Sequence, residues 1–445
     1  MTGHSCPPDR SYPPDRASLL LSDEAVRTLT RAELARAIVM AAVATRHLVP
    51  GLVRRRGRTA AALAPRINAA VMTLGPPAMK LSQVVASSPG LFPAPVSDAL
   101  RHLLDAAPPV PWPGIRDTIE MCLRAPVTEL FATIDPVPLA AASIAQVHAA
   151  TLHDGRRVVV KVRRPGVEHQ FQTDLRLMRL GARVADRLSW AARVFNPVAI
   201  VDNTVAALRQ ELDFRLEADA MERFEANLRA YGDNDCVYVP AVYRQLSGAE
   251  VLTMERIDGT KVDDLVGLQR TGFDLRQLLR AGVRAWVESA CEHGFFHGDA
   301  HAGNLMVDEK GRAVFLDFGI MGQLDETTRW LLRRGVVALL HRRDFEEVTA
   351  CLAELGAHLG GRVEQARAAV AIRRLAEPLM DKPLSELDYQ EVLSSAMRQA
   401  APHGVQLPPS LVLLFKQVIY FERYAKLVAP DWDILLDTYL IEFML

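Results

Sequence analysis

The segment 294–322 places the strongest constraint on how this chain can fold. Two short apolar runs within it, 305–307 and 313–316, are separated by a charged turn that contains a glycine. Runs of this length around such a turn predict a β-hairpin. Because the two strands of a hairpin lie side by side, the flanking residues Asn304 and Asp317 are expected at neighbouring strand ends.

The polar residues of the same segment have the spacing of a phosphoryl-transfer site. Asp299, Asn304 and Asp317 match the H-x-D-x-x-x-x-N and D-F-G elements of kinase-like phosphotransferases. There a carboxylate meets the nucleophile, while an asparagine and an aspartate hold magnesium. Such oxygen ligands recruit Mg²⁺ together with a triphosphate, so the segment predicts ATP and Mg²⁺ as cofactors. The simpler interpretation, an ordinary hairpin beside a chance D-F-G, explains the combined spacing less well.

An upstream region has the composition of a phosphate-binding loop. The loop consists mainly of small residues: Ala140, Ala141, Ala142, Ser143, Ile144 and Ala145. Such a loop allows backbone N–H groups to approach phosphates closely. The β-branched strand 158–162 follows and carries Lys161, whose burial is unfavourable unless an anion meets it. We therefore expect Lys161 to reach the phosphates, unless it faces solvent from an edge strand.

Other candidate site residues lie on a strand exit and on two helices. The exit of strand 251–255, with Glu255 and Ile257, is where a kinase-like hinge would offer backbone groups to adenine. Three acids on a charged helical region are candidate partners for Lys161 and Lys80: Glu211, Asp213 and Glu217. Taken alone, these acids, and Lys80 with Gln83 one turn away, are equally consistent with solvated helix faces.

The composition excludes several classes of protein. The 445 residues include 52 Lys+Arg and 53 Asp+Glu, so no global basic field favours nucleic acid. The five cysteines are scattered and never form a C-x-x-C pair, which argues against a disulfide framework or a zinc site. A reducing, cytoplasmic compartment is expected.

The N-terminal region is expected to be a disordered tail followed by helices. Residues 1–30 begin with a Pro-, Asp- and Arg-rich stretch that has no secretory signal. The apolar segment 34–53 is interrupted by charges and is followed by the basic segment 54–58. It predicts either a helix lying on an anionic membrane surface or an ordinary helix with a solvated basic face. No hydrophobic stretch reaches membrane-spanning length, so a peripheral position on the inner membrane face is the closest membrane association expected.

Several motifs in combination resemble the UbiB/AarF family of atypical kinase-like ATPases, which support ubiquinone and other isoprenoid lipid pathways. They are K-L-S-Q at 80–83, A-A-A-S-I-A-Q-V-H at 140–148, V-V-V-K-V at 158–162, E-L-D at 211–213, H-G-D-A-H-A-G-N at 297–304 and D-F-G at 317–319. The resemblance implies an α+β, protein-kinase-like bilobal fold with an extra N-terminal helical element. The corresponding division is a helical extension at 31–113, an N-lobe with an Ala-rich loop at 114–256, and a mainly helical C-lobe at 257–445.

The resemblance also implies roles for individual residues. Lys161 takes the phosphate-binding role, with Glu217 as its helix partner and Glu211 as the fallback. Asp299 takes the catalytic-loop position, and Asn304 and Asp317 become magnesium ligands. In that family a K-x-G-Q motif and an E-x-D motif form a regulatory pocket where a protein substrate would otherwise bind. The corresponding residues are Lys80, Gln83, Glu211 and Asp213.

Two positions depart from the family pattern. Ser82 stands where the family has glycine, and its side chain brings the close packing and inhibitory role of the motif into question. Ala302 stands where the family has proline, which alters loop rigidity but leaves Asp299 and Asn304 in place. Metal binding is therefore expected to survive.

The function favoured by these patterns is that of a Mg²⁺-dependent, ATP-binding atypical kinase or ATPase that supports isoprenoid quinone or other lipid biosynthesis. Its expected partners are a lipid or phenolic quinone precursor, an anionic membrane surface and lipid-biosynthesis proteins, but not nucleic acid. One alternative is a small-molecule phosphotransferase of the aminoglycoside or choline kinase type, which has neither the Ala-rich loop nor K-L-S-Q. Another is a nucleotide-sensing, lipid-binding scaffold without turnover, which the full set of acids and Lys161 disfavours.

Overall fold

The computed structural model describes most of the chain. The described residues are 29–53, 60–86, 108–188, 211–355, 362–380 and 409–432, with 198, 201, 202, 208, 437 and 440. The predicted tail, apart from its last two residues, and the basic segment 54–58 lie outside the described residues.

Helices begin and end the described chain, with strands between them. The helices are α1 (Arg31–Val53), α2 (Ala60–Leu74), α3 (Pro76–Ala86), α4 (Trp112–Leu123), α5 (Val127–Leu130), α6 (Val167–Leu188), α7 (Phe214–Tyr231), α8 (Leu265–Thr271), α9 (Leu275–Cys291), α10 (Glu326–Val337), α11 (Phe345–Glu354), α12 (Arg362–Met380) and α13 (Pro409–Val428). Among the described helices, none combines the length and apolar character needed to cross a membrane.

The described strands form three sheets. They are β1 (Thr133–Ile134), β2 (Ala140–Ala141), β3 (Ala145–Thr151), β4 (Arg157–Arg163), β5 (Val237–Tyr238), β6 (Val251–Glu255), β7 (Gly259–Lys261), β8 (Phe295–His297), β9 (Leu305–Asp308), β10 (Ala313–Phe315) and β11 (Met321–Gln323). The first sheet has the order β1-β3-β4-β6, with β2 paired to β3, and the second has the order β5-β10-β9-β7. The third sheet consists of β8 and β11.

Strand β4 is an interior strand whose two faces differ. Val158, Val160 and Val162 are fully buried and pack in one cluster with Ile115 of α4. Because successive residues of a strand point to opposite faces, Lys161 projects on the other side. β4 lies between β3 and β6, so the sequence-based alternative of an edge strand is wrong.

The predicted hairpin is confirmed. β9 and β10 pair antiparallel, with Phe315 opposite Leu305, and the Leu316 amide donates to the Asn304 carbonyl at 2.9 Å. This register brings Asn304 and the segment that starts at Asp317 to the same end of the hairpin.

A second contact joins this hairpin to the segment that follows α7. β5 pairs parallel to β10, with Val237 opposite Ala313. Just before β5, the Asn234 side chain donates to both carboxylate oxygens of Glu288 in α9, at 3.0 and 3.2 Å. The C-terminal end of α7 is therefore anchored to the helix-rich part of the molecule.

The helix-rich part is organised around Trp286 of α9. Its ring packs edge-on against Phe296 of β8 and Phe421 of α13, with centroids 5.6 and 5.2 Å apart. These aromatic contacts hold α13 against the strand that leads into the segment containing Asp299.

The N-terminal helices are attached to α6 through a buried ion pair. The Arg36 guanidinium donates from Nε and Nη2 to the two Asp174 oxygens, at 2.7 and 2.6 Å, and Nη2 also donates to the Leu74 carbonyl. The Asp174 side chain is only 1% exposed. Bidentate geometry and burial make this contact stronger than a surface ion pair.

We expect Arg36→Ala to loosen the N-terminal helices from α6. The substitution leaves the buried carboxylate of Asp174 without its partner, which costs about 3–5 kcal/mol. Thermal unfolding and hydrogen exchange of the α1 amides measure the effect. The control is Arg46→Ala at an exposed position of the same helix, where a change within about 0.5 kcal/mol is expected. Equal effects of the two substitutions would contradict the attachment.

Candidate active site

The centre of the candidate site is an ion pair between β4 and α7. Lys161 Nζ lies 2.7 and 2.9 Å from the two carboxylate oxygens of Glu217, in the first turn of α7. Asp213 begins that helix by accepting a hydrogen bond from the Arg215 amide, a standard helix cap. The pair of Lys161 with Glu217, rather than with Glu211, is the one that the sequence analysis expected. Its role toward a phosphate remains a prediction.

The D-F-G segment brings a second acid to Lys161. Asp317 Oδ1 lies 3.3 Å from Lys161 Nζ and accepts a hydrogen bond from the Gly319 amide at 3.0 Å. The intervening Phe318 is buried against Phe224 of α7, with ring centroids 5.5 Å apart. Because Phe318 packs against α7, the neighbouring Asp317 is held close to the N-terminal part of that helix, which carries Glu217.

Burial and mutual attraction set the charges of these three groups. Burial opposes the charge on Lys161, but the carboxylates of Asp317 and Glu217 outweigh it and raise the Lys161 pKa above its usual range. Burial likewise disfavours ionised Asp317, yet Lys161 and the Gly319 amide hold its pKa well below the usual range. Burial raises the pKa of Glu217 to about 7 against the attraction of Lys161. Asp317 is thus the stronger acid of the two.

His297 connects the D-F-G segment with the loop that contains Asp299. Its Nδ1 accepts a hydrogen bond from the Asp299 amide at 3.1 Å, so its Nε2–H donates to the Asp317 carbonyl. This arrangement requires a neutral ring, and burial accordingly lowers the His297 pKa. The sequence analysis did not select His297 as a site residue, although the H-x-D pattern contained it.

The Asp299 loop contains the expected amide and an unexpected cation. The Asn304 side-chain nitrogen donates to the Asp299 carbonyl at 3.1 Å, so the Asn304 amide oxygen is the atom that could bind a metal. Lys416 Nζ of α13 lies 2.6 Å from Asp299 Oδ1. Burial disfavours the Asp299 charge, but Lys416 outweighs it and lowers the Asp299 pKa.

The donor set fits a magnesium ion that arrives with phosphates. Asp317 and Asn304 supply oxygen ligands of the kind that Mg²⁺ prefers, and phosphate oxygens and water normally complete its shell. In the part of the chain that the structure describes, no three His, Cys, Asp or Glu side chains are arranged to hold a metal ion. A metal carried by a triphosphate suits these residues better than an all-protein cage.

Helix α3 brings Lys80 to the edge of this site. Lys80 forms a buried ion pair with Glu211, and a Cβ on Gly319 would lie 3.7 Å from Glu211 Cγ. Burial raises the pKa of Glu211 despite the charge of Lys80. The Ser82 hydroxyl donates to the Ala78 carbonyl of its own helix, so the side chain that replaces the family's glycine is accommodated there.

The structure describes the side chain of only one of the other two residues of the expected regulatory pocket, Asp213. Asp213 caps α7 and pairs with Arg215. Gln83 lies in α3, but its side chain is outside the described residues. Their regulatory role remains a prediction.

The Ala-rich loop folds back on the first sheet. Ala140 and Ala141 form β2, and the Ala142 amide donates to the Ala145 carbonyl at 2.8 Å to close a tight turn. Ser143, Ile144 and Ala145 are buried. Gln146, directly after the loop, is fully buried and bonds the Val110 backbone, so this motif residue has a structural role.

The predicted hinge lies between β6 and β7. Glu255 ends β6, and its carboxylate accepts hydrogen bonds from the Tyr238 hydroxyl at 2.6 Å and the Ala241 amide at 3.3 Å. Ile257 lies in the link to β7. Contacts of either residue with adenine remain a prediction.

Three features together define a kinase-like protein. They are a buried lysine–glutamate pair that joins an antiparallel sheet to a helix, a D-F-G aspartate beside it, and an H-x-D loop in the helix-rich part of the molecule. The chain matches the model of the ABC1 atypical kinase-like domain over residues 102–352 and that of the UbiB helical domain over residues 372–433. This chain therefore belongs to the ABC1 atypical kinase-like family, as the resemblance to UbiB/AarF proteins implied.

Curated relatives support the same assignment. An uncharacterized protein of Mycobacterium tuberculosis is 40% identical over 364 residues, which cover 82% of this chain and 74% of that protein. A probable protein kinase UbiB of Xylella fastidiosa is 35% identical, over 83% of this chain and 67% of the relative. Its counterpart in Marinobacter nauticus is 33% identical, over 87% of this chain and 70% of the relative.

A solved structure shares the fold. The Rv3197–erythromycin complex from Mycobacterium tuberculosis superimposes with a TM-score of 0.52, at 23% identity, over 90% of this chain and 99% of that chain. The α+β, protein-kinase-like bilobal fold with additional N-terminal helices and a mainly helical C-lobe is confirmed.

Proposed function

We propose that this protein binds ATP with Mg²⁺ and hydrolyses it, or transfers its terminal phosphate, in support of isoprenoid quinone or other lipid biosynthesis at the inner membrane face. The observation that carries the proposal is the cluster in which Lys161 contacts both the buried Glu217 and the partly exposed Asp317. Asn304 and Asp299 lie on the loop that faces it across His297. The relatives named probable protein kinase UbiB support phosphate chemistry, and the resemblance to the UbiB/AarF family supports the connection to quinone biosynthesis.

Each residue of the cluster has a role in this proposal. Lys161 holds the α- and β-phosphates and is oriented by Glu217, while Asp317 and Asn304 hold the metal. Bound Mg²⁺ supplies positive charge that stabilises the negative charge on the phosphate oxygens. Asp299 orients the attacking water or hydroxyl. Lys161 then exchanges its contact with Asp317 for a phosphate oxygen.

The charge of the cleft supports joint binding of metal and nucleotide. Three ammonium groups face four carboxylates, which leaves one net negative charge when all are ionised: Lys80, Lys161 and Lys416 against Glu211, Glu217, Asp299 and Asp317. A bare triphosphate would meet repulsion there, whereas a metal-bound one brings its own cation.

The position of α3 supports a small acceptor. The Lys80–Glu211 pair lies beside Gly319, where an extended protein substrate would need room. Water, or a small phenolic or lipid-like group, fits this arrangement better than a peptide does.

Helix α1 supports contact with a lipid surface. Leu34, Ile38 and Val39 are exposed on it, at 52%, 61% and 45%. Apolar side chains on an exposed helix face are suited to insertion at the boundary of lipid headgroups, and neighbouring basic residues would add attraction to anionic lipid.

Nucleotide binding and turnover on the purified protein test the proposal. We expect a rise in melting temperature with Mg²⁺ and ATP together, but not with either alone, since the cleft needs the cation. Phosphate release should increase when anionic liposomes and a phenolic quinone-precursor mimic are added. Absence of any nucleotide-dependent shift would refute the metal–nucleotide site.

A panel of acceptors distinguishes the proposal from its alternatives. Rapid phosphate transfer to an aminoglycoside or an amino alcohol would support a small-molecule phosphotransferase instead. Nucleotide binding without phosphate release under any of these conditions would support a nucleotide-sensing scaffold.

A further inference from the structure

The C-terminal helix α13 holds the Asp299 loop through two consecutive residues. Lys416 Nζ lies 2.6 Å from Asp299 Oδ1, and the fully buried Gln417 accepts a hydrogen bond from the Ala300 amide at 3.0 Å through Oε1. Both partners are 117 positions earlier in the chain. One face of α13 therefore forms part of the wall of the candidate site.

The contact of Lys416 is not that of a solvated surface lysine. Its side chain is 17% exposed and that of Asp299 is 21% exposed, so both charges have lost most of their water. A buried ammonium is unfavourable unless a carboxylate or another anion compensates for the lost hydration. The ion pair is therefore a built feature of the site.

The other buried lysines of the cleft are engaged elsewhere. Lys161 contacts Glu217 and Asp317, and Lys80 contacts Glu211. Another basic side chain near Asp299 in the described residues is the imidazole of His301, whose Nε2 lies 3.7 Å from Asp299 Oδ2. Lys416 is thus the ammonium that acts directly on Asp299.

Resting on the proposed function, we propose that Lys416 is the positioning residue for Asp299 in the reaction. By holding Oδ1, it leaves Oδ2 to accept a hydrogen bond from the attacking water or hydroxyl. It also places a positive charge on the acceptor side of the transferring phosphoryl group, opposite Lys161. In the reaction the nucleophile oxygen bonds to phosphorus, the bond to the leaving oxygen breaks with its electron pair going to ADP, and Asp299 Oδ2 accepts the proton that the nucleophile gives up.

Turnover of Lys416 variants tests this role. We expect Lys416→Met to lower kcat about 100-fold, since orientation and charge at the acceptor oxygen are both lost. The Kd for ATP with Mg²⁺ should stay within about threefold, because Lys161, Asn304 and Asp317 remain. Lys416→Arg should restore most of kcat because it keeps the charge. The control is Lys426→Met on the same helix, where Lys426 pairs with Glu422 one turn away.

Two outcomes would overturn the inference. One is an unchanged kcat in Lys416→Met. The other is a loss of nucleotide affinity that accounts for the whole decrease in kcat/KM, which would indicate a merely structural role. If the wild-type protein itself neither binds nucleotide nor releases phosphate, the proposed function fails, and the ion pair is tested independently by stability.

That independent test compares melting temperatures of Lys416→Met, Asp299→Asn and the double variant. Lys416→Met leaves a charged carboxylate buried without its partner, so its melting temperature should fall by several degrees. The double variant removes that charge and should recover part of the loss. Strictly additive shifts would overturn the Lys416–Asp299 contact.

Discussion

Replacing Asp317 with asparagine should abolish the stabilisation that ATP and Mg²⁺ give to this protein. A ligand at a hundredfold excess over its Kd stabilises the folded state by about 2.7 kcal/mol, so the wild-type protein should show a clear rise in melting temperature. The variant loses the charged oxygen that we assign to the metal, while Lys161 keeps its contact with Glu217. The fold should therefore persist without the nucleotide response.

The matched control for this experiment is Asp325→Asn. Asp325 caps α10 by accepting a hydrogen bond from the Thr328 amide, a role that asparagine performs about equally well. Thermal shift with ATP and Mg²⁺ should match that of the wild-type protein. A full nucleotide response in Asp317→Asn would remove the D-F-G aspartate from the metal site.

Replacing Asp299 with asparagine should separate binding from turnover. Loss of the carboxylate that orients the nucleophile typically lowers the rate about 10²–10⁴-fold. Nucleotide affinity should change by no more than about threefold, because Asp299 contacts neither Lys161 nor Asp317 directly. Single-turnover phosphate release, together with calorimetric titration of nucleotide, measures the two quantities on the same sample.

The same Asp325→Asn variant controls for general effects of an acid-to-amide change in the C-lobe. If Asp299→Asn retains wild-type turnover, the H-x-D loop is not the catalytic loop. If it loses nucleotide binding to the same extent as Asp317→Asn, Asp299 belongs to the metal site rather than to the acceptor side.

The parts of the site that could be predicted from sequence are those carried by local patterns. The two short apolar runs indicated the hairpin that brings Asn304 near the D-F-G segment. Asn304 directly precedes one strand and Asp317 follows the other, and both strands are only a few residues long. An isolated lysine in a β-branched strand indicated that Lys161 meets an anion, since burial of an unpaired charge is unfavourable.

The parts that could not be predicted depend on packing between distant segments. Lys416 is one of several charged residues on α13, and helical periodicity does not say which of them meets a loop 117 positions away. Arg36 and Asp174 are separated by 138 positions, so their ion pair could not be predicted from the sequence either. Asp213 carried a family role by position, but the structure uses it as a helix cap because a carboxylate there satisfies a free backbone amide.

Because α7 is anchored at its C-terminal end, a small tilt about that end moves its N-terminal end by a larger distance. Asn234 and the β5–β10 pairing hold its C-terminal end against the C-lobe. Glu217 lies fourteen residues from the last residue, Tyr231, which at 1.5 Å per residue is a lever arm of about 21 Å. A tilt of about 5° would move Glu217 by about 2 Å, enough to separate it from Lys161. Movement of the N-terminal end, near the Lys80–Glu211 pair, would thus make or break the ion pair of the phosphate-binding lysine.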